Sequence, residues 1–210
     1  MTKYFETEIV GRDYIKERNG YMIKYPFRAR AKIFEKQENE TVSKLFSHLS
    51  TCLIKGRQDL ELGCSKCDII KGLEYEETSS SVMNICRVAG FLGKKRMMHP
   101  IVQNHFMHND PYTIAVEIPV WNYKENRSGL IDLIRYNPKE DIVWILDFKP
   151  YANQENPEQV LSQLYWYKNM LHTNTGISLN KIECAYFNHL NFYQLCKTES
   201  QSVEQKADTF

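Results

Sequence analysis

Gly129-Leu130-Ile131-Asp132-Leu133-Ile134-Arg135-Tyr136-Asn137-Pro138-Lys139-Glu140-Asp141-Ile142-Val143-Trp144-Ile145-Leu146-Asp147-Phe148-Lys149 is the stretch on which the reading of this chain turns. Leu130–Tyr136 is rich in strand-forming residues, and Ile142–Phe148 is an apolar run of the kind found in a strand buried on both faces. Asn137-Pro138 and the polar residues up to Asp141 predict a tight connection, and so a hairpin. Side chains alternate along a strand, so Asp147 and Lys149 share a face near the end of the second strand, with Asp132 on the first. Two converging carboxylates make an oxygen-rich site suited to Mg²⁺ or Mn²⁺. The Lys149 ammonium stands where it can orient an attacking water or stabilise charge on a phosphate. A purely structural salt-bridge cluster is the alternative reading of the same three residues.

Working outward, Thr113–Trp121 alternates as a third strand. Val82–Met107 has helical spacing interrupted at Gly90, Gly93 and Pro100. Pro157–Leu171 predicts a helix with Asn156 as its N-cap, and Lys181–Asn188 predicts a last strand. The order over about residues 85–190 is therefore helix, three strands, helix, strand, in a mixed sheet of an α/β protein. Further upstream, a helix is expected near Glu38–Leu49. Loops are expected at Gly56–Cys67 and Glu74–Ser81.

With these elements in place, Gly129-Leu130-Ile131-Asp132, Asp147-Phe148-Lys149 and Gln163-Leu164-Tyr165-Trp166-Tyr167 form an ordered series. It resembles the G-x-x-D, D-x-K and Q-x-x-x-Y motifs of the RecB-like branch of the PD-(D/E)XK nucleases, which includes CRISPR-associated RecB-like exonucleases. The resemblance spans about half the chain. It implies a restriction-endonuclease-like core over residues 85–195, preceded by an N-terminal elaboration (1–84) and followed by a flexible tail (196–210). It also implies metal-dependent hydrolysis of DNA, with exonuclease action on single strands or ends. By the same resemblance a histidine on the preceding helix completes the metal shell, with His99 chosen ahead of His105, and the Phe148 carbonyl ligates as well. Gln163 and Tyr167 would contact the DNA backbone or brace the site. Lys94, Lys95 and Arg96 are the nearest cations for phosphate contact, and the basic, aromatic segment Tyr25–Lys32 is either a second such surface or a solvated face. Glu117 alternates within its strand and reads as structural ahead of a supplementary ligand. A non-catalytic nucleic-acid-binding subunit of a repair, CRISPR or viral replication assembly is the rival function.

Cys52, Cys64, Cys67 and Cys86 include one C-x-x-C pair and predict a structural zinc site, with an iron–sulfur cluster or unliganded thiols as alternatives. The family's iron–sulfur pattern places three cysteines after the nuclease motifs, and only Cys184 and Cys196 lie there. The net charge is +1, but residues 1–100 hold 18 Lys and Arg against 13 Asp and Glu, and the remainder 9 against 13. A basic half beside an acidic half is compatible with holding phosphates and cations. No apolar run is long enough to span a bilayer, and no secretion signal is evident, so a membrane partner is not expected. A cytoplasmic setting is, or the host-cell cytoplasm for a viral protein.

Overall fold

The computed structural model describes residues 8–18, 21–30, 39–54, 63–64, 69–77, 81–93, 99–151 and 155–196. Nine strands and four helices are found among these residues. In chain order they are β1 (Ile9–Arg18), β2 (Tyr21–Arg30), α1 (Glu40–Ile54), β3 (Gly63–Cys64), β4 (Tyr75–Glu77), α2 (Ser81–Gly93), α3 (His99–Asn109), β5 (Thr113–Asn122), β6 (Arg127–Asn137), β7 (Ile142–Phe148), α4 (Pro157–Thr175), β8 (Ile182–Phe187) and β9 (Phe192–Leu195). The fold is mixed α/β.

One sheet runs in the order β1-β2-β5-β6-β7-β8-β9-β4, with β3 pairing to the start of β6. Neighbours are antiparallel except β7 with β8 and β3 with β6. A parallel pair needs a crossover, and α4 supplies it between β7 and β8. The start of α4 is fixed as its sequence predicts: Asn156 Oδ1 accepts from Glu158 N at 3.0 Å, and Pro157 stands in the first turn. Its end comes four residues later than expected, at Gly176, whose φ of 70° closes the helix with an N–H bonded to His172 O at 2.7 Å.

Side chains alternate across the sheet into two cores. On β7 and β8, Val143, Ile145, Ile182, Cys184 and Tyr186 join the core beneath α1 and α4, whereas Trp144, Leu146, Phe148, Ala185 and Phe187 join the one beneath α2 and α3. With helices on both faces, β7 is buried along nearly its whole length, which is why it reads as an unbroken apolar run.

Several features differ from the sequence expectation, among them β9, which follows the strand expected to be the last, and β3, which lies within the loop expected at Gly56–Cys67. The interrupted stretch 82–107 forms two helices, and Pro100 lies in the first turn of α3, where no N–H donor is required of it. The polar segment expected as a loop after Glu74 contains β4, whose side chains are all exposed, so pairing with β9 alone makes it a strand. Among the described residues before 39, Ile9–Arg18 and Tyr21–Arg30 form a long antiparallel pair, β1–β2, that joins the sheet through β5. The expected N-terminal elaboration thus extends the same sheet and, through α1, the same core as the later elements. The expected tail lies outside the described residues, apart from Cys196.

Candidate active site

The hairpin β6–β7 holds register from Asn137↔Ile142 to Leu133↔Leu146, and Asp132 and Asp147 stand one step beyond that last pair. There the strands separate. The Asp132 carboxylate takes over as acceptor for the neighbouring strand, receiving the Phe148 N–H on Oδ2 at 3.0 Å. β7 stays tied to β8 through Lys149 N and Phe187 O, 2.9 Å apart.

The strand on the other side of β6 is irregular at the same level. Val116 pairs with Leu133 and belongs to the α2–α3 core, while Ile118 pairs with Ile131 and belongs to the α1–α4 core. The two-residue alternation therefore breaks at Glu117 and Asp132, and Glu117 has the left-handed φ of 52°. Such a backbone is costly for a non-glycine residue and is characteristic of functional sites. Continuing each register by one step sets Glu117, Asp132 and Asp147 in one row across three strands.

Helices close the row from both sides. From α3, His99 Nε2 lies 3.3 Å from Asp132 Oδ2 with its ring edge-on to Phe148, and Gln103 Nε2 donates to Glu117 Oε1 at 2.6 Å. From α4, Gln163 Nε2 donates to the Tyr167 hydroxyl at 2.6 Å. Both α4 residues are buried, 5% and 3% exposed. Lys149 Nζ lies 2.5 Å from Asp147 Oδ2.

Crowded carboxylates in a dry place acquire unequal proton affinities. Burial, aided by the charge of Asp132, pushes Glu117 up to about 7. Burial raises Asp147 to about 6 against the pull of Lys149. Burial also opposes ionisation of Asp132, but the hydrogen bond and charge of His99 and the charge of Lys149 outweigh it and hold the group at about 2. Burial would lower Lys149 and His99, yet the carboxylates raise both. Tyr167 is pushed well above the ordinary phenol range by burial and by the charges of Asp147, Asp132 and Glu117.

A divalent cation fits these residues on one observation above all. Asp147 Oδ2 is buried beside the Lys149 ammonium, 2.5 Å away and outside aligned hydrogen-bond geometry. Among the described residues, no three His, Cys, Asp or Glu side chains already stand as a ligand cluster. Lys149 and His99 occupy the positions from which they neutralise the two carboxylates.

Asp132, Asp147, Lys149 and His99 are thus brought together, with the Gln163–Tyr167 pair beside them. His105, six residues further along α3, accepts from Asn109 Nδ2 instead. Gln103 went unread in the sequence although it follows His99 by one helical turn, and Glu117, read as structural, belongs to the cluster. Lys94, Lys95 and Arg96 lie outside the described residues. The four-cysteine site needs correction. Cys52 and Cys86 are buried in the two different cores, on opposite faces of the sheet, so no single ion takes both; Cys67 and the side chain of Cys64 lie outside the described residues. Within Tyr25–Lys32, Arg28 pairs with Asp13, and Arg30 donates to the carbonyls of Met107, Asp110 and Thr113. No helix among the described residues is long and apolar enough to cross a membrane. No family model, curated protein or solved structure matches the chain.

Proposed function

We propose that this protein is a divalent-metal-dependent deoxyribonuclease with a restriction-endonuclease-like core, acting as an exonuclease on single strands or ends. One observation carries the reading: Asp132 and Asp147 lie side by side where β6 and β7 part, with the Lys149 ammonium 2.5 Å from the buried Oδ2 of Asp147. The order α3, β5, β6, β7, α4, β8 and the parallel β7–β8 pair support the assignment of the core. Asp132, Asp147, His99 and the Phe148 carbonyl would hold Mg²⁺ or Mn²⁺, which supplies Lewis acidity toward the scissile phosphate and toward water.

The protein's own groups do the rest. Without the ion, His99 Nε2 steadies Asp132 Oδ2 from one side, and Phe148 N steadies it from the other. Lys149 Nζ, held beside Asp147 Oδ2, would donate to a non-bridging phosphate oxygen as negative charge accumulates there. Tyr167 and Gln163 close the α4 side and exclude water. The second reading is a non-catalytic nucleic-acid-binding subunit. It is favoured by Lys149 and His99 already neutralising the carboxylates.

Calorimetric titration with Mn²⁺, beside cleavage of single-stranded, end-bearing duplex and circular DNA, separates the two. Wild type should bind the ion and degrade DNA that has ends. Asp132→Asn and Asp147→Asn should lose ion binding and roughly 10²–10³-fold or more in rate. Lys149→Met should keep ion binding yet lose a comparable part of the rate, because its charge acts mainly in the transition state. Wild type that cleaves no DNA with either ion, or an Asp147→Asn variant as active as wild type, rejects the nuclease reading.

A further inference from the structure

β2 pairs with β5 at Arg28↔Val116 and Ala29↔Ala115. Further along β5, backbone groups are met by helix side chains in place of a strand. His48 of α1 donates from Nε2 to Pro119 O at 2.9 Å. Asn174 of α4 accepts from Trp121 N at 3.0 Å and donates to Trp121 O at 2.9 Å. Between the two helices and the end of β5 lies a cleft of about 540 Å³. Its size is that of a small-ligand site, and the hydrogen bonds that fix its walls make it preformed.

Aromatic rings and hydrogen-bonding groups line this cleft together. Trp121 packs against the α1–α4 core, and its ring centroid lies 5.1 Å from that of His48. Tyr123 follows two residues later, in the turn after β5, and is 62% exposed. Asn122 Oδ1 accepts from Lys124 N at 3.0 Å and Glu125 N at 3.3 Å, which fixes the turn that presents Tyr123 and Lys124. Burial pushes His48 down to about 4 and so keeps it neutral; with Nε2 donating to Pro119 O, its Nδ1 is an acceptor. Lys124 supplies an exposed ammonium, and no carboxylate lines the cleft. A flat ring bearing hydrogen-bonding groups and an attached anion matches this set, and a nucleotide has that chemistry. The cleft is also placed along the sheet from the carboxylates. Trp121 stands four residues beyond Glu117 on β5, ~14 Å at ~3.4 Å per residue, on the side toward which β6 and β7 part.

We propose that the cleft between α1, α4 and the end of β5 is a nucleotide-binding subsite, with the base stacked on Trp121 and Tyr123 and the phosphate met by Lys124. A nucleotide of the substrate strand is the occupant that the nuclease reading supplies, and a free nucleotide carries the same chemistry. Binding without cleavage tests the cleft separately from that reading. The probes are a short fluorescein-labelled oligothymidylate, titrated by anisotropy in EDTA at several salt concentrations, and thymidine 5′-monophosphate as its competitor. Tyr123→Ala should weaken binding of the oligomer by about 5-fold or more, the effect of losing one stacked base. Lys124→Gln should lower the slope of log affinity against log salt by roughly 0.7, the value for one phosphate contact on a single strand. Both side chains are exposed, so neither change reaches the core. Trp121→Phe, which keeps a ring, should bind more tightly than Trp121→Leu. Lys139→Gln, in the turn between β6 and β7 at the other end of that hairpin, should bind as wild type does.

Wild-type affinity and slope in both Tyr123→Ala and Lys124→Gln, or an equal loss in Lys139→Gln, overturns the subsite. So does a wild type that binds neither probe. Competition by the monophosphate that Tyr123→Ala also weakens identifies a free nucleotide as the occupant, and binding of the oligomer alone identifies a nucleotide within a strand; either supports the subsite. If wild type binds through the cleft but cleaves no DNA, the nuclease reading fails and the subsite stands. If wild type cleaves and the cleft variants bind normally, the subsite fails and the nuclease stands.

Discussion

At the scale of single residues the carboxylate row has a measurable electrostatic cost. A carboxyl whose pKa is raised by the fold favours the protonated form. Its contribution to stability is full below the unfolded value and is lost as pH rises through the folded one. For Glu117 that window runs from its ordinary 4.5 up to about 7. His48, held near 4 by burial, acts in the opposite sense over much of the same range, so the informative quantity is the difference between two proteins that share it. In EDTA, Glu117→Gln should gain stability relative to wild type as pH rises from 5 to 8, by on the order of 2–3 kcal/mol, and Mg²⁺ or Mn²⁺ should reduce the gain. Urea melts at pH 5 and pH 8 measure it; a difference that does not change with pH would show that Glu117 is not crowded by Asp132. The sequence made Asp132, Asp147 and Lys149 legible because strand alternation and hairpin register are local rules. Glu117 was harder, since its place in the row depends on a left-handed backbone that no strand pattern announces.

At the scale of elements, α3 presents both His99 and Gln103, and its far end is held from another strand. Arg30 of β2 donates from Nη2 to Met107 O at 2.5 Å and Asp110 O at 2.7 Å, and from Nε to Thr113 O at 2.5 Å. These include carbonyls that a helix C-terminus leaves without partners. Arg30→Met should leave Met107 O without this partner, while Asp110 O keeps the Thr113 N–H, and cost roughly 2–4 kcal/mol in urea unfolding. Arg30→Lys should recover little of the loss, because one ammonium cannot span acceptors that a planar guanidinium reaches together. A lysine variant as stable as wild type would reduce Arg30 to a packing residue. Among the elements, α4 was legible from Asn156 and Pro157, and β7 from its apolar run. The β1–β2 hairpin went unread although Asn19-Gly20, the strongest short hairpin signal, lies between two strand-like runs. β4 carried no signal, because partnership with β9 is a tertiary fact.

At the scale of the whole molecule, one sheet serves two cores, and this separates features that lie close in sequence. Cys64 and Cys67 fall between Cys52 and Cys86 along the chain, yet the outer pair is divided by the sheet. Cys86→Ala should therefore leave the metal content of purified protein unchanged while costing about 1 kcal/mol for the space left in the core. Elemental analysis showing metal lost with Cys86 would contradict the placement. Spacing in sequence measures the length of the tether, not the side of the sheet on which a residue arrives, so the four cysteines read as a set and the structure divides them. The same architecture bears on the order of assembly. Pairing β6 with β7 closes a short loop, whereas pairing β7 with β8 must wait for the chain through α4. The two carboxylates thus belong to the part of the molecule that can form first, and the groups that neutralise and enclose them come later in its folding. Core truncations at Leu133 and Leu146 should slow refolding, and truncations at Ile182 should chiefly hasten unfolding, so that the carboxylate pair is made before its enclosure.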